Sequence, residues 1–341
     1  MTPEALPMDL AALASWMDEH GVGDGDLTDT ELLPGGTQNI LVRFTRGTER
    51  YVLRHPPLHK RTNSDESIRR EARVLRELGA TDVPHPRLIA SEPDESVLGS
   101  SFFLMADVVG FNPTVDVPES IRCDAAFHDA IGFAMIDALV ALARVDVTAE
   151  LAALGRTGDW VSRQLTRWTA QLASYTGSPG YEHGSLDVDV ISDWLGARRP
   201  ETTVLGLTHG DLHFANVLVD PNRPVLAAVV DWELATIGDP LIDLAHMLVT
   251  WPGRTDSALK VGFTALPARA ALLDRYSAAT RRPLEDLPWF EVLASLRLAV
   301  LLEGTHVRAA KGEADAETGR RLHAMAVDLV DLAHDIIERN S

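Results

Sequence analysis

The chain has 341 residues, 45% of them hydrophobic and 24% charged, and its 50 Asp and Glu against 31 Lys and Arg leave a net charge of −19. That length is enough for two domains or one bilobed unit, and the acidic balance excludes general nucleic-acid binding, which needs a basic face. A lone Cys123 excludes a disulfide framework or thiolate metal cluster; the acidic N-terminus has no signal-like basic stretch, and no uncharged apolar run approaches the roughly 18–20 residues of a membrane span, so a cytoplasmic protein with no membrane partner is expected.

In chain order, Leu10, Leu13, Trp16 and Met17 predict a short helix, followed by an acidic loop. The turn-rich Leu33-Pro34-Gly35-Gly36-Thr37-Gln38-Asn39 leads into a strand at Ile40–Phe44, and Gly47 turns the chain back into a second strand at Tyr51–Arg54. Asp65–Leu78 reads as a helix with Ile68, Leu75 and Leu78 on one face; Pro84 and Pro86 end it, and Phe102–Met105 is a third extended run closing on Gly110. Helices are expected at Ala125–Arg144, Trp160–Ala173, Val188–Leu195, after Asp239-Pro240, at Trp289–Arg308 and at Arg321–Glu338. Between them, Val204–Asp231 reads as two short strands around the turn Asp220–Pro224. The pattern is α+β: a small sheet lobe over 1–108 and a larger helical lobe over 109–341, with a hinge near Asp107–Gly110.

Charge is unevenly spread. From Arg43 to Arg76 there are ten basic residues and four acidic ones, a local +6 in an acidic chain. Such a zone fits a bound anion such as phosphate, although a solvated helix face and hairpin rim account for most of these arginines.

The densest polar cluster is Thr208-His209-Gly210-Asp211-Leu212-His213-Phe214-Ala215-Asn216, followed by an apolar run that ends in Asp231-Trp232-Glu233. A loop Asp, an Asn five residues on and a second Asp at the end of a returning strand bring oxygen groups together beside a sheet edge. Magnesium prefers hard oxygen ligands such as one carboxylate and one amide oxygen, and a separate carboxylate can accept a hydroxyl proton.

His209-Gly210-Asp211-Leu212-His213-x-x-Asn216, with Asp231-Trp232-Glu233 and Gly238-Asp239-Pro240-x-x-Asp243-Leu244-Ala245, resembles the aminoglycoside phosphotransferase and choline kinase-like family. Tyr51-Val52-Leu53-Arg54, Arg70-Glu71 with Val74-Leu75, Phe102–Met105 and Gly304-x-x-x-Arg308-x-x-x-Gly312 are similar to its acyl-CoA dehydrogenase-linked branch. The resemblance covers roughly Leu33 to Gly312. It implies a protein kinase-like bilobed fold with a small antiparallel-sheet N-lobe and a mainly helical C-lobe. It also implies Mg2+-dependent transfer of the γ-phosphate of ATP or GTP to a hydroxyl of a small molecule. Asp211 matches the catalytic base, Asn216 and Asp231 the magnesium ligands, and His209 the histidine that braces the loop. The nucleotide would meet Gly36 and Thr37 of the phosphate-covering loop, Arg54, Glu71, and Met105, Asp107 and Val109 of the hinge strand. Family acceptors include aminoglycosides, macrolides, choline, homoserine and sugars, and the branch suggests hydroxylated acyl compounds.

Glu71 supports this from the residues alone. It lies on the apolar stripe of its helix, three residues after Ile68 and four before Leu75, and an unpaired buried carboxylate costs several kcal/mol. Arg54 is the nearest strand-borne cation. It stands where kinase folds place a lysine, and a guanidinium forks to carboxylate and phosphate with a different reach.

Plainer roles stand beside these. Asp211 can cap a turn, Glu233 can line the acceptor site or support structure, His213 reads as loop packing, Asp239 as a helix cap and Asp243 as an anchor for the loop backbone. His246, Trp251 and Arg308 read first as packing residues, and Cys123 as a small hydrophobe. Two other functions remain in view. One is a metal-dependent hydrolase using His209, Asp211, His213 and Asp231; the other is a non-catalytic nucleotide-binding module, prompted by Arg54.

Overall fold

The computed structural model describes residues 8–33, 39–57, 59–60, 62–155, 159–178, 186–201, 203–255 and 260–341. Asp9 accepts the N–H groups of Ala11 and Ala12 and so caps α1 (Leu10–Glu19), which buries Leu13, Trp16 and Met17. The next strands are β1 (Leu27–Leu32), β2 (Ile40–Arg46) and β3 (Glu49–His55). The tight β2–β3 turn needs the positive φ of Gly47, and pairing places Leu41 opposite Arg54 and Phe44 opposite Tyr51. After α2 (Ser64–Leu78), β4 (Leu88–Glu92) and β5 (Phe102–Ala106) complete an antiparallel sheet of order β1-β2-β3-β5-β4.

The expected hairpin and third strand are present, but β1 and β4 were not expected. Both lie at sheet edges, and their residues are exposed or half-buried. An edge strand does not bury a full face, so its sequence lacks the apolar alternation that marks β2, β3 and β5.

Strand alternation decides which face each side chain serves. Val42, Phe44, Tyr51, Leu53, Phe102 and Leu104 pack with Leu13, Trp16 and Met17 on one face. Val52 and Arg54 point to the other face, toward the crevice beside α2. The apolar side of α2 (Ile68, Ala72, Val74, Leu75, Leu78), together with Phe103, belongs to the main hydrophobic core, so α2 connects sheet and helices.

The rest is mainly helical: α3 (Ala125–Ala143), α4 (Ala149–Ala152), α5 (Trp160–Ala173) and α6 (Asp189–Ala197), then α7 (Leu241–Val249), α8 (Arg269–Thr280), α9 (Leu287–Ala310) and α10 (Ala316–Arg339). Between α6 and α7 lie four short strands: β6 (Gly206–Thr208), β7 (Val217–Val219), β8 (Leu226–Val229) and β9 (Thr236–Gly238). β7 and β8 form the expected hairpin, but β6 pairs with β9 instead. Residues 209–216 and 230–235 are thereby held as adjoining loops above two small ribbons. α3 has the length and hydropathy of a membrane span, but Asp129 and Asp137 interrupt it, so it is not an uncharged apolar run. It serves as a core helix, burying Phe127, Ile131, Met135, Ile136 and Leu139.

Candidate active site

β3, α2 and the end of β8 meet at Arg54. Its Nε lies 2.7 Å from Glu71 Oε2, and its Nη2 lies 2.7 Å from Asp231 Oδ1 and 3.6 Å from Glu233 Oε2. The Trp232 N–H donates to Glu71 Oε1, and the Asn39 amide donates to Glu233 Oε2 (3.1 Å). Asp231 sits in the left-handed region (φ 67°) at the start of a 3-10 turn, and its side chain is 40% exposed to the crevice. Three carboxylates thus share one guanidinium. Burial pushes the Glu71 carboxyl up to about 7, against the pull of Arg54, and Asp231 and Glu233 push it the same way. Burial and Asp231 also raise Glu233. The cluster holds more negative charge than Arg54 neutralises, and its crevice side is open to a further cation.

The second loop is positioned from α7 and α9. The buried Asp243 carboxylate accepts the N–H groups of His209 (2.7 Å) and Gly210 (2.8 Å), and Arg297 donates to the Gly210 carbonyl. Gly210 has φ 84°, and a Cβ there would stand 2.7 Å from the Leu234 carbonyl oxygen, so glycine is required twice over. Burial raises Asp243 to about 6 and lowers Arg297. His209 is neutral, because burial pushes it down to about 4. Its Nδ1 accepts the Asp211 N–H (3.1 Å), so Nε2 carries the proton donated to the Val230 carbonyl (3.0 Å).

That bracing presents Asp211. Its Oδ2 accepts from the Asn216 amide (2.9 Å), and its Oδ1 lies 3.1 Å from His246 Nε2 and 3.6 Å from His213 Nε2. Burial pushes the Asp211 carboxyl up, but hydrogen bonds and charge from His213 and His246 outweigh it and hold the group well below the usual carboxylate range. Asn216 also donates to the Asp211 carbonyl (2.9 Å), which turns its Oδ1 away from Asp211. The donor set of Asn216 and Asp231, hard oxygens beside excess negative charge, fits Mg2+.

A crevice of about 710 Å³ runs between the sheet and these loops. Leu41, Val52, Met105, Leu218 and Val230 supply apolar walls, and Arg54, Glu71, Asn216, Asp231 and Glu233 supply its polar end. Met105 and Asp107 line it, but the Asp107 carboxylate is held by Arg43 (3.1 Å) and Arg50, and its N–H donates to the Arg50 carbonyl. Only backbone oxygen at Asp107 is left to meet a base. Val109 is 71% exposed. Gly36 and Thr37 lie outside the described residues.

The residues named from sequence at 54, 71, 211, 216 and 231 therefore converge. The set His209, Asp211, His213 and Asp231 does not, because both ring nitrogens of His209 are committed to backbone groups. The sequence reading takes His246 first as a packing residue and passes over Arg297. His246 lies in a helix in which all nine residues are buried, so periodicity marks no special face; its one signal is the spacing of three from Asp243.

Comparison with known proteins accords with this geometry. Residues 29–287 match the model of the phosphotransferase enzyme family. The chain is 26% identical to mouse (Mus musculus) acyl-CoA dehydrogenase family member 10, over 97% of this chain and 31% of that one. It is 29% identical to rat (Rattus norvegicus) acyl-CoA dehydrogenase family member 11, over 93% of this chain and 42% of the other. It thus spans about a third to two fifths of these relatives' length. Among solved structures, a Ralstonia eutropha protein provisionally designated an aminoglycoside phosphotransferase superposes with a TM-score of 0.78 at 28% identity, covering 96% of this chain and 99% of that one. A mutant aminoglycoside 2′-phosphotransferase in complex with GDP shares the fold, with a TM-score of 0.65 at 15% identity over 98% and 100% of the two chains. The small antiparallel sheet above a helical lobe is accordingly the protein kinase-like fold.

Proposed function

The chain belongs to the phosphotransferase enzyme family, and from that premise we propose that it transfers the γ-phosphate of ATP or GTP to a hydroxyl of a small molecule, with Asp211 as the catalytic base. The observation that carries this reading is that Asn216, Asp231 and the Arg54–Glu71 pair line the polar end of one crevice, with Asp211 hydrogen-bonded to Asn216 beside it.

In this reading the base lies between the apolar walls against the 105–109 backbone, and the phosphates reach toward Arg54. Asn216 and Asp231 would hold Mg2+, which supplies charge neutralisation for the phosphates. Asp211, kept ionised by its two imidazoles, accepts a hydrogen bond from the acceptor hydroxyl and orients it in line with the γ-phosphorus. As the oxygen–phosphorus bond forms, the hydroxyl proton passes to Asp211. The β–γ bridging bond breaks, and its electron pair leaves with the nucleoside diphosphate. Positioning and preorganised charge do most of the work in such a transfer. Hydroxylated acyl compounds are the first acceptors to try, because the curated relatives carry acyl-CoA dehydrogenase names; aminoglycosides, amino alcohols and sugars follow.

The test is label transfer from γ-labelled ATP and GTP to a panel of these alcohols, with mass identification of the product. Asp211→Asn should lower turnover by roughly 10²–10⁴-fold and leave nucleotide affinity within about twofold. Undiminished transfer by Asp211→Asn would refute the assignment, and nucleotide binding with no transfer across the panel would favour a binding module. Asp211, His213 and His246 can also bring ligand atoms within 4.8 Å of one another. Stoichiometric zinc there, with hydrolysis instead of transfer, would favour the metal-dependent hydrolase.

A further inference from the structure

A second group of ligating side chains lies in the C-terminal helix pair, outside the crevice. Glu303 and His306 stand one turn apart on α9, and His323 faces them from α10. His323 Nδ1 lies 2.8 Å from Glu303 Oε2, and the His306 and His323 ring centroids are 4.6 Å apart. One ligand atom from each residue falls within 4.8 Å of the other two. Nδ1 of His306 is buried and has no hydrogen-bond partner among the described residues.

An ion pair between Glu303 and His323 explains two of these residues and leaves the third unexplained. A buried ring nitrogen without a partner costs free energy, and His306 belongs to a group that also holds a carboxylate and another imidazole. Two imidazoles and one carboxylate form a donor set suited to Zn2+, with bonds of about 2.0–2.2 Å. Ligand atoms on such an ion are about 3–3.5 Å apart, so the group must close by at most about 1.3–1.8 Å, which side-chain rotation can supply. Glu303 is fully buried while His323 is 29% exposed, which gives an ion a fixed inner ligand and an entry path.

We propose that Glu303, His306 and His323 form a three-ligand site for a divalent transition-metal ion, zinc first, that clamps α9 to α10. The clamp lies about two helical turns from the connection between these helices. Six residues earlier on α9, about 9 Å along its axis, Arg297 holds the Gly210 carbonyl. The ion therefore pins the helix that supports the Asp211 loop.

The experiment is titration of the EDTA-treated full chain with CoCl2, read by visible d–d absorption, followed by displacement with ZnCl2. His306→Gln and His323→Gln should each weaken Zn2+ binding at one site by tenfold or more. Zn2+ should raise the melting temperature of the unaltered chain and leave that of His323→Gln unmoved. The same equivalent should persist in His213→Gln, which separates this site from the group around Asp211. Unchanged cobalt bands and zinc stoichiometry in both α9–α10 variants would overturn the proposal. Should either variant fold poorly, imidazole resonances of the unaltered chain decide: one equivalent of Zn2+ shifting His306 and His323 supports the site, and shifts confined to His213 and His246 overturn it.

Discussion

Arg54 is the residue on which the polar end of the crevice depends. Removing it leaves the Glu71 carboxylate, 3% exposed, without its ion-pair partner. Breaking a buried pair from one side costs about 3–5 kcal/mol, so Arg54→Ala should lose that much stability in urea denaturation. Arg54→Lys should lose less than half as much, because the charge stays but the fork to Asp231 does not; equal losses would show that packing outweighs charge there. His209 supports a pH prediction. Its folded value of about 4 lies below the ordinary 6.5, so between these values the unfolded chain binds more protons and stability falls as pH falls. The buried Asp243, raised to about 6, acts in the opposite direction in an overlapping range. It is common to wild type and His209→Asn, so it cancels in their difference. Wild type should therefore lose about 3 kcal/mol relative to His209→Asn as pH drops from 6.5 to 4. A flat difference would mean that His209 is protonated in the folded chain.

Elements act on the site through the Gly210 peptide, which α7 holds at its N–H and α9 at its carbonyl. Asp243→Asn can accept only one of the two N–H groups now shared by its carboxylate oxygens. It should cost about 1.5–3 kcal/mol and lower kcat with little change in KM for nucleotide, measured by steady-state kinetics with whichever acceptor the panel identifies. A rise in KM alone would place Asp243 outside loop positioning. Gly210→Ala should have a larger effect in the same direction, since both its backbone angle and the Leu234 carbonyl oppose a side chain. Elements were unevenly legible in the sequence. β2, β3, β5 and α2 bury a full face and show it in their periodicity. β1 and β4 border solvent, and β6 and β9 have three residues each, too few for a pattern to form.

The whole molecule should behave as two lobes joined by their ligand. Leu41, Val52 and Met105 of the crevice wall come from the sheet, while Leu218, Val230, Asn216 and Asp231 come from the helical part, so in the proposed reaction nucleotide with Mg2+ would bridge both. A ligand at 100 times its Kd stabilises by about 2.7 kcal/mol, which for a chain of this size raises the melting temperature by roughly 4 °C. ATP with Mg2+ should give that rise, and ATP with EDTA or Mg2+ alone should not. Asp231→Asn should abolish the Mg2+ dependence of the shift; its persistence would remove Asp231 from the metal site.

The sequence by itself determined the two-lobe α+β pattern, the Asp211–Asn216 loop, the Asp231 strand end and the need of Glu71 for a cation. Each of these follows from local spacing or from the cost of one buried charge. Only the tertiary structure decided that Arg54 also reaches Asp231, that His209 turns both nitrogens to the backbone, and that His246 from α7 and Arg297 from α9 close on the loop. The His246, Arg297 and Arg54 contacts join residues that are 35, 87 and 177 positions apart. No periodicity records such pairings, because the packing of separate strands, loops and helices against one another sets them.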